Sequence, residues 1–165
     1  MTRYLLDTNA LVQAKRMHYG FDFCPAFWDW LVMQNRKGEI SSVDKAFEEM
    51  RVVSDELALW AKKRGDAFFL TPDESIAGAF HSISAWVNDR NHTDEAITEF
   101  LDVADYRLVA HAYAYDWTVA ARELSSKSIC KVKIPDACKG LNVECINPFK
   151  ILRREKARFV LGPSM

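Results

Sequence analysis

Short apolar runs and helical spacings of apolar residues alternate along this chain. Tyr4-Leu5-Leu6 is an apolar run closed by Asp7, which reads as a short buried strand. Leu11, Ala14 and Met17 then predict a short helix. Pro25 suits a first helical position, with Phe27, Trp28 and Leu31 as its core face and Gly38 as its stop. Glu39–Ser41 reads as a second strand, and Ser42 as the cap of a helix through Val43, Ala46, Phe47 and Met50. A helix over about Asp55–Arg64 stops at Gly65, and Phe68–Leu70 is extended. Pro72-Asp73-Glu74 opens a long helix to about Asn88, and Asn91–Asp94 turns with Thr93 as the next cap. Helices over Glu95–Val103 and from Asp105 through Tyr115 follow, then a strand over Trp117–Ala121. Lys131–Ile134 and Val143–Ile146 read as two more strands, and Pro135 and Pro148 as helix starts. Strands alternating with helices predict one α/β domain over residues 1–165, with a short, mainly parallel sheet flanked by helices.

Composition changes this picture little. A chain of 165 residues, 49% hydrophobic and 27% charged, fits one ordinary globular domain. The net charge of −1 gives no global attraction to nucleic acid, so any basic contacts must be local. Lys150, Arg153, Arg154, Lys156 and Arg158 cluster near the C-terminus, which also describes a solvated helix face. Cys24, Cys130, Cys138 and Cys145 lack zinc-site spacing and read as reduced thiols. No apolar run reaches the length of a membrane span, and Met1-Thr2-Arg3 does not open a secretory signal. The expectation is a cytoplasmic protein with no membrane association.

The acids carry the candidate chemistry. Asp7 directly follows the first strand and Glu123 closely follows the strand over Trp117–Ala121, so both belong at the carboxyl rim of a parallel sheet. Glu49, after the second strand, and Asp105, at a helix start, can point to the same rim. Four converging carboxylates repel unless some take up protons or a cation lies among them. Oxygen ligands suit Mg²⁺ or Mn²⁺. Ordinary roles also exist: Asp105 as a helix cap, Glu49 as a surface residue, Glu123 as a charge at a helix start. Asp7, at the end of an apolar strand and followed by Thr-Asn and another helix, needs a partner if it is buried.

The segment Tyr4-Leu5-Leu6-Asp7-Thr8-Asn9-Ala10-Leu11 resembles the opening of a PIN domain. Val43–Met50, with Glu49 before Met50, is similar to that family's second acidic motif. Ala104–Ala110 resembles the third, through Asp105, and Trp117–Glu123 the fourth. Gly20–Trp30 and Lys133–Cys138 resemble a PIN-like bacterial subfamily related to VapC-type toxins. The chain departs from the family at Ala121, where Thr or Ser is usual; Asp136 is a candidate for a compensating oxygen.

The resemblance implies a three-layer PIN-like (Rossmannoid) sandwich and a metal-dependent ribonuclease. Asp7, Glu49, Asp105 and Glu123 would hold Mg²⁺ or Mn²⁺, and Asn9 would orient Asp7 or the attacking water. It also implies an RNA substrate, a protein antitoxin as partner, and a homodimer. Lys15, Arg16 and Lys45 lie near the acidic motifs in sequence and are candidate phosphate contacts; His18, Tyr19 and Trp28 are candidate stacking faces. The alternative is a PIN-fold interaction module without catalysis, which Ala121 favours. A phosphatase with Asp7 as nucleophile wants a second Asp where Asn9 stands, and a Ser or Cys hydrolase lacks its motif.

Overall fold

The computed structural model describes residues 1–53 and 55–162. Five strands form its sheet: β1 (Tyr4–Leu6), β2 (Ile40–Val43), β3 (Phe69–Leu70), β4 (Thr118–Ala120) and β5 (Cys145–Ile146). They run in the order β3-β2-β1-β4-β5, and every pairing is parallel. Tyr4 pairs with both Ile40 and Thr118, so β1 is the central strand. Its three residues are all buried, because helices cover both faces of a parallel sheet.

The helices are α1 (Thr8–Gln13), α2 (Pro25–Arg36), α3 (Asp44–Arg51), α4 (Glu56–Arg64), α5 (Ala77–Asn88), α6 (Asp94–Asp102), α7 (Ala104–Tyr115), α8 (Ile134–Gly140) and α9 (Pro148–Arg154). Together with the sheet they make a three-layer α/β sandwich. Helix α7 packs on β1, β2 and β4, with α3, α5, α6 and α8 around it. Helix α2 packs on β2, and Leu6, Trp30, Leu31, Ile40 and Ile151, from β1, α2, β2 and α9, line one apolar pocket. Prolines at the starts of α2, α8 and α9 sit where a missing N–H costs nothing. Asp55 and Thr93 cap α4 and α6 through their side chains. Gly65 takes φ +57°, a conformation that ends α4 and that a β-carbon would strain.

Several elements differ from the sequence pattern. Ser42 does not cap α3. It lies inside β2, fully buried, and its hydroxyl donates to the Leu6 carbonyl at 2.7 Å, which ties β2 to β1. The second strand therefore runs on to Val43. Lys131–Ile134 is not a strand: residues 121–133 are irregular and Ile134 opens α8. Only Cys145 and Ile146 of the expected Val143–Ile146 strand join the sheet. Asp105 is not the cap of α7, because the helix begins one residue earlier, at Ala104. The first helix starts at Thr8 and passes into a wider π-helical turn over Ala14–His18.

Trp28 is no stacking face. It is 3% exposed, and its indole N–H donates to the Tyr19 carbonyl at 2.7 Å within the core. Trp30 and Trp60 are buried as well. No helix among the described residues is long and apolar enough to cross a membrane.

Candidate metal centre at the carboxyl rim

In the strand order 3-2-1-4-5, the direction of winding reverses between β1 and β4. The carboxyl ends of the two strands flanking such a reversal border a crevice, and helix N-termini point into it. Asp7 leaves β1 at this point, and Glu123 lies three residues beyond the end of β4.

Each acid is positioned by a helix N-terminus. Asp7 is 3% exposed and accepts from the Ala10 N–H at 2.5 Å, capping α1. Glu49 faces inward from α3, whereas its neighbour Glu48 is exposed and pairs with Lys45 at 3.4 Å. One Glu49 oxygen accepts from the Thr8 hydroxyl at 2.6 Å. The other accepts from the Ala104 N–H at 3.0 Å, so it serves the otherwise uncapped start of α7. Glu123 accepts from the Ile134 N–H at 3.0 Å and so serves the start of α8. Asp105 lies in the first turn of α7. Three helix N-termini thus converge where the four acids crowd, and their partial positive charge favours carboxylates there.

The crowding is visible in the acid strengths. Burial pushes Asp7 up to about 7; the charges of Asp105, Glu123 and Glu49 add to the rise, against the opposing Ala10 hydrogen bond. Burial also pushes Asp105 up to about 7, with Glu123 and Glu49 adding to it and Lys131 and Lys133 opposing. The protein thus holds more negative charge here than its own groups neutralise. The cations beside the cluster are Lys131 and Lys133, whose ammonium groups stand 3.6 and 3.5 Å from one Glu123 oxygen.

A cleft of about 150 Å³ has Asn9, Glu49, Glu99, Asp105, Glu123 and Lys131 in its wall. Among the described residues, no three Asp, Glu, His or Cys side chains stand close enough together to hold one ion in their present rotamers. The donor chemistry nevertheless fits a hard divalent cation. All four acids offer oxygen, and each bonded carboxylate oxygen keeps a second lone pair. Glu49 and Glu123 are each engaged at a helix start, and Asp7 is held by its cap.

The other candidates separate clearly. Asn9, on the first turn of α1, is exposed in the cleft wall. Asp136 is not part of the cluster. Its carboxylate accepts from the Ser125 hydroxyl and from the Ser126 N–H at 3.1 Å, so it braces the segment before α8. Lys15 is occupied by Asp55 at 3.2 Å, and neither Lys15, Arg16 nor Lys45 lines the cleft. Ala121 is buried, and its N–H donates to the Ile146 carbonyl at 3.0 Å, so its place is backbone pairing to β5. The four cysteines are unbridged.

Sequence reasoning missed Arg122, Lys131 and Lys133, which adjoin Glu123. The signal was present: Lys131-Val132-Lys133 alternates polar and apolar, which puts both lysines on one side and Val132 inside.

No curated protein and no solved structure matches the chain. The model of one family, described as a domain of unknown function (DUF4411), matches residues 4–159, which span every element of the sheet and all four acids. The chain belongs to that family.

Proposed function

We propose that this protein is a metal-dependent endoribonuclease of PIN type, with Asp7, Glu49, Asp105 and Glu123 holding Mg²⁺ or Mn²⁺. The observation that carries the reading is the meeting of four carboxylates at one sheet crevice, two of them pushed up to about 7. Folding tolerates such crowding poorly unless a ligand gains from it. The order of the acids along the chain and their resemblance to the four PIN motifs point the same way.

Within this reading, Asp7 is the fixed ligand, since its cap leaves it one orientation. Thr8 orients Glu49 through its hydroxyl. Asn9 presents an exposed amide at the cleft wall for a phosphate oxygen or an attacking water. A bound divalent ion supplies Lewis-acid chemistry, offsetting phosphate charge and making water nucleophilic near neutral pH. RNA as substrate, a protein antitoxin, a homodimer and a cytoplasmic setting belong to the same proposal and rest on the resemblance to VapC-like toxins.

The test is incubation of a mixed cellular RNA pool with purified protein and Mg²⁺, Mn²⁺ or EDTA, beside the Asp7→Asn variant. Metal-dependent cleavage absent from the variant is the expected result; equal cleavage by both overturns the assignment. A second reading, a PIN-like interaction module without catalysis, is favoured by Ala121 and by the capping duties of Glu49 and Glu123. Calorimetric titration with Mn²⁺ separates the two, since a site whose acids only cap helices takes up no ion.

A further inference from the structure

A second depression adjoins the acidic cleft and shares Asn9, Glu123 and Lys131 with it. It is an open groove of about 530 Å³ whose remaining walls are Gln13, Met17, Arg122 and Lys133. One wall is a single helical stripe: Asn9, Gln13 and Met17 recur every fourth residue along α1 and the π-helical turn. The facing wall is the irregular segment after β4, which supplies three cations. Met17 is 68% exposed, although it lies between polar and charged groups.

We propose that this groove binds a single polynucleotide strand leading into the acidic cleft; the proposal rests on the nuclease reading above and deepens it by naming the strand's path. Arg122, Lys131 and Lys133 contact successive backbone phosphates. Asn9 and Gln13 amides hydrogen-bond phosphate or ribose oxygens, and the Met17 thioether lies against a base or sugar. The eight helical steps from Asn9 to Met17 give the groove a length of about 12 Å, room for about two or three phosphates.

The lysines keep spare capacity. Each ammonium has three N–H donors, and its approach to Glu123 is a loose ion pair at 3.5 Å or more. The Lys131 side chain is 48% exposed. Arg122 is held in place by contact with the His18 ring and by stacking over Phe149 at 5.6 Å, and it lines the groove with guanidinium N–H groups beyond the one at His18. The walls present three cations and two amides beside the Glu123 carboxylate, with no broad basic face, so one strand suits the groove better than a duplex.

The test is fluorescence anisotropy of a short fluorescein-labelled oligouridylate with the full chain in EDTA at low salt. The Lys131→Glu/Lys133→Glu double variant is expected to bind at least ~10-fold more weakly. Its salt dependence should be shallower, by about 0.7 in slope for each phosphate that is no longer neutralised. Gln13→Arg, a surface change that adds a cation to the stripe, is expected to bind more tightly. Lys62→Glu, at the exposed end of α4, is expected to match the wild type. Unlabelled duplex RNA should compete poorly. Wild-type affinity in the double variant, or an unchanged Gln13→Arg, overturns the groove. If Asp7→Asn still abolishes metal-dependent cleavage in that case, the nuclease reading stands and only the strand's path is wrong.

Discussion

Replacing Asp7 by Asn is expected to stabilise the metal-free protein at pH 8 and to leave it little changed at pH 5. The Asp7 carboxyl goes from an ordinary 3.8 to about 7 on folding. Each tenfold change in acidity is worth about 1.4 kcal/mol, so keeping the group ionised when folded costs about 4 kcal/mol. The sign follows from the raised value. Below 3.8 the group is protonated in both states and costs nothing. Between 3.8 and about 7 the folded chain binds the extra proton, so stability falls as pH rises, and the loss is complete above 7. Asparagine presents the same oxygen to the Ala10 N–H, although without the charge it loses about 1 kcal/mol of attraction to the dipole of α1. Relief of repulsion with Asp105 is shared between the two groups, which lowers the net gain to about 2 kcal/mol, or about 4–8 °C in Tm for a domain of this size. The assay is thermal unfolding of both proteins in EDTA from pH 5 to pH 8.5, read as the difference between them. That difference cancels the opposite contribution of His111, a buried imidazole whose pKa burial lowers. A variant less stable than wild type by the same amount at every pH would refute the reasoning, because it would mean that Asp7 is an ordinary cap and not a strained acid.

Other consequences can be measured independently. Mn²⁺ must displace protons from Asp7 and Asp105, so its affinity by calorimetry should rise about 10-fold or more between pH 6 and pH 8; a flat profile would place the ion elsewhere. Millimolar Mg²⁺ at pH 8 should raise the Tm of wild type but not that of Asp105→Asn. Gly140→Ala should destabilise by about 1–3 kcal/mol in urea unfolding, since its β-carbon would overlap the Trp86 indole nitrogen; an unchanged midpoint would show that the ring moves freely. Ile83→Ala, at a fully buried position of α5, should cost about 2–5 kcal/mol in the same assay.

The parallel order of strands and helices was legible because buried strands and amphipathic helices have different periods, and because Pro25, Pro148, Thr93 and Gly65 mark helix ends chemically. Ser42 was misread because Ser before a helix is a common cap; its burial and its bond to the Leu6 carbonyl depend on a partner 36 residues away. Lys131–Ile134 alternates like a strand, yet the sheet ends at β5 and the segment turns over the acids instead. Asp7 and Glu123 could be placed at one rim from strand ends alone. The inward turn of Glu49, its service to α7 and the lysines beside Glu123 depend on tertiary packing that no local pattern encodes. Lys15 and Lys45 looked available in sequence, but Lys15 is hydrogen-bonded to Asp55 once the chain is folded, and neither lysine lines the cleft.

The most direct test of the central claim is cleavage of a defined single-stranded RNA by the purified protein in Mn²⁺, with Asp7→Asn and Asp105→Asn beside it and the ends of the fragments identified. The account predicts metal-dependent cuts, absent from both variants and from EDTA, whose products carry no 2′,3′-cyclic phosphate because water is the nucleophile. Cuts that persist in EDTA or in either variant, or that leave cyclic phosphates, would contradict it.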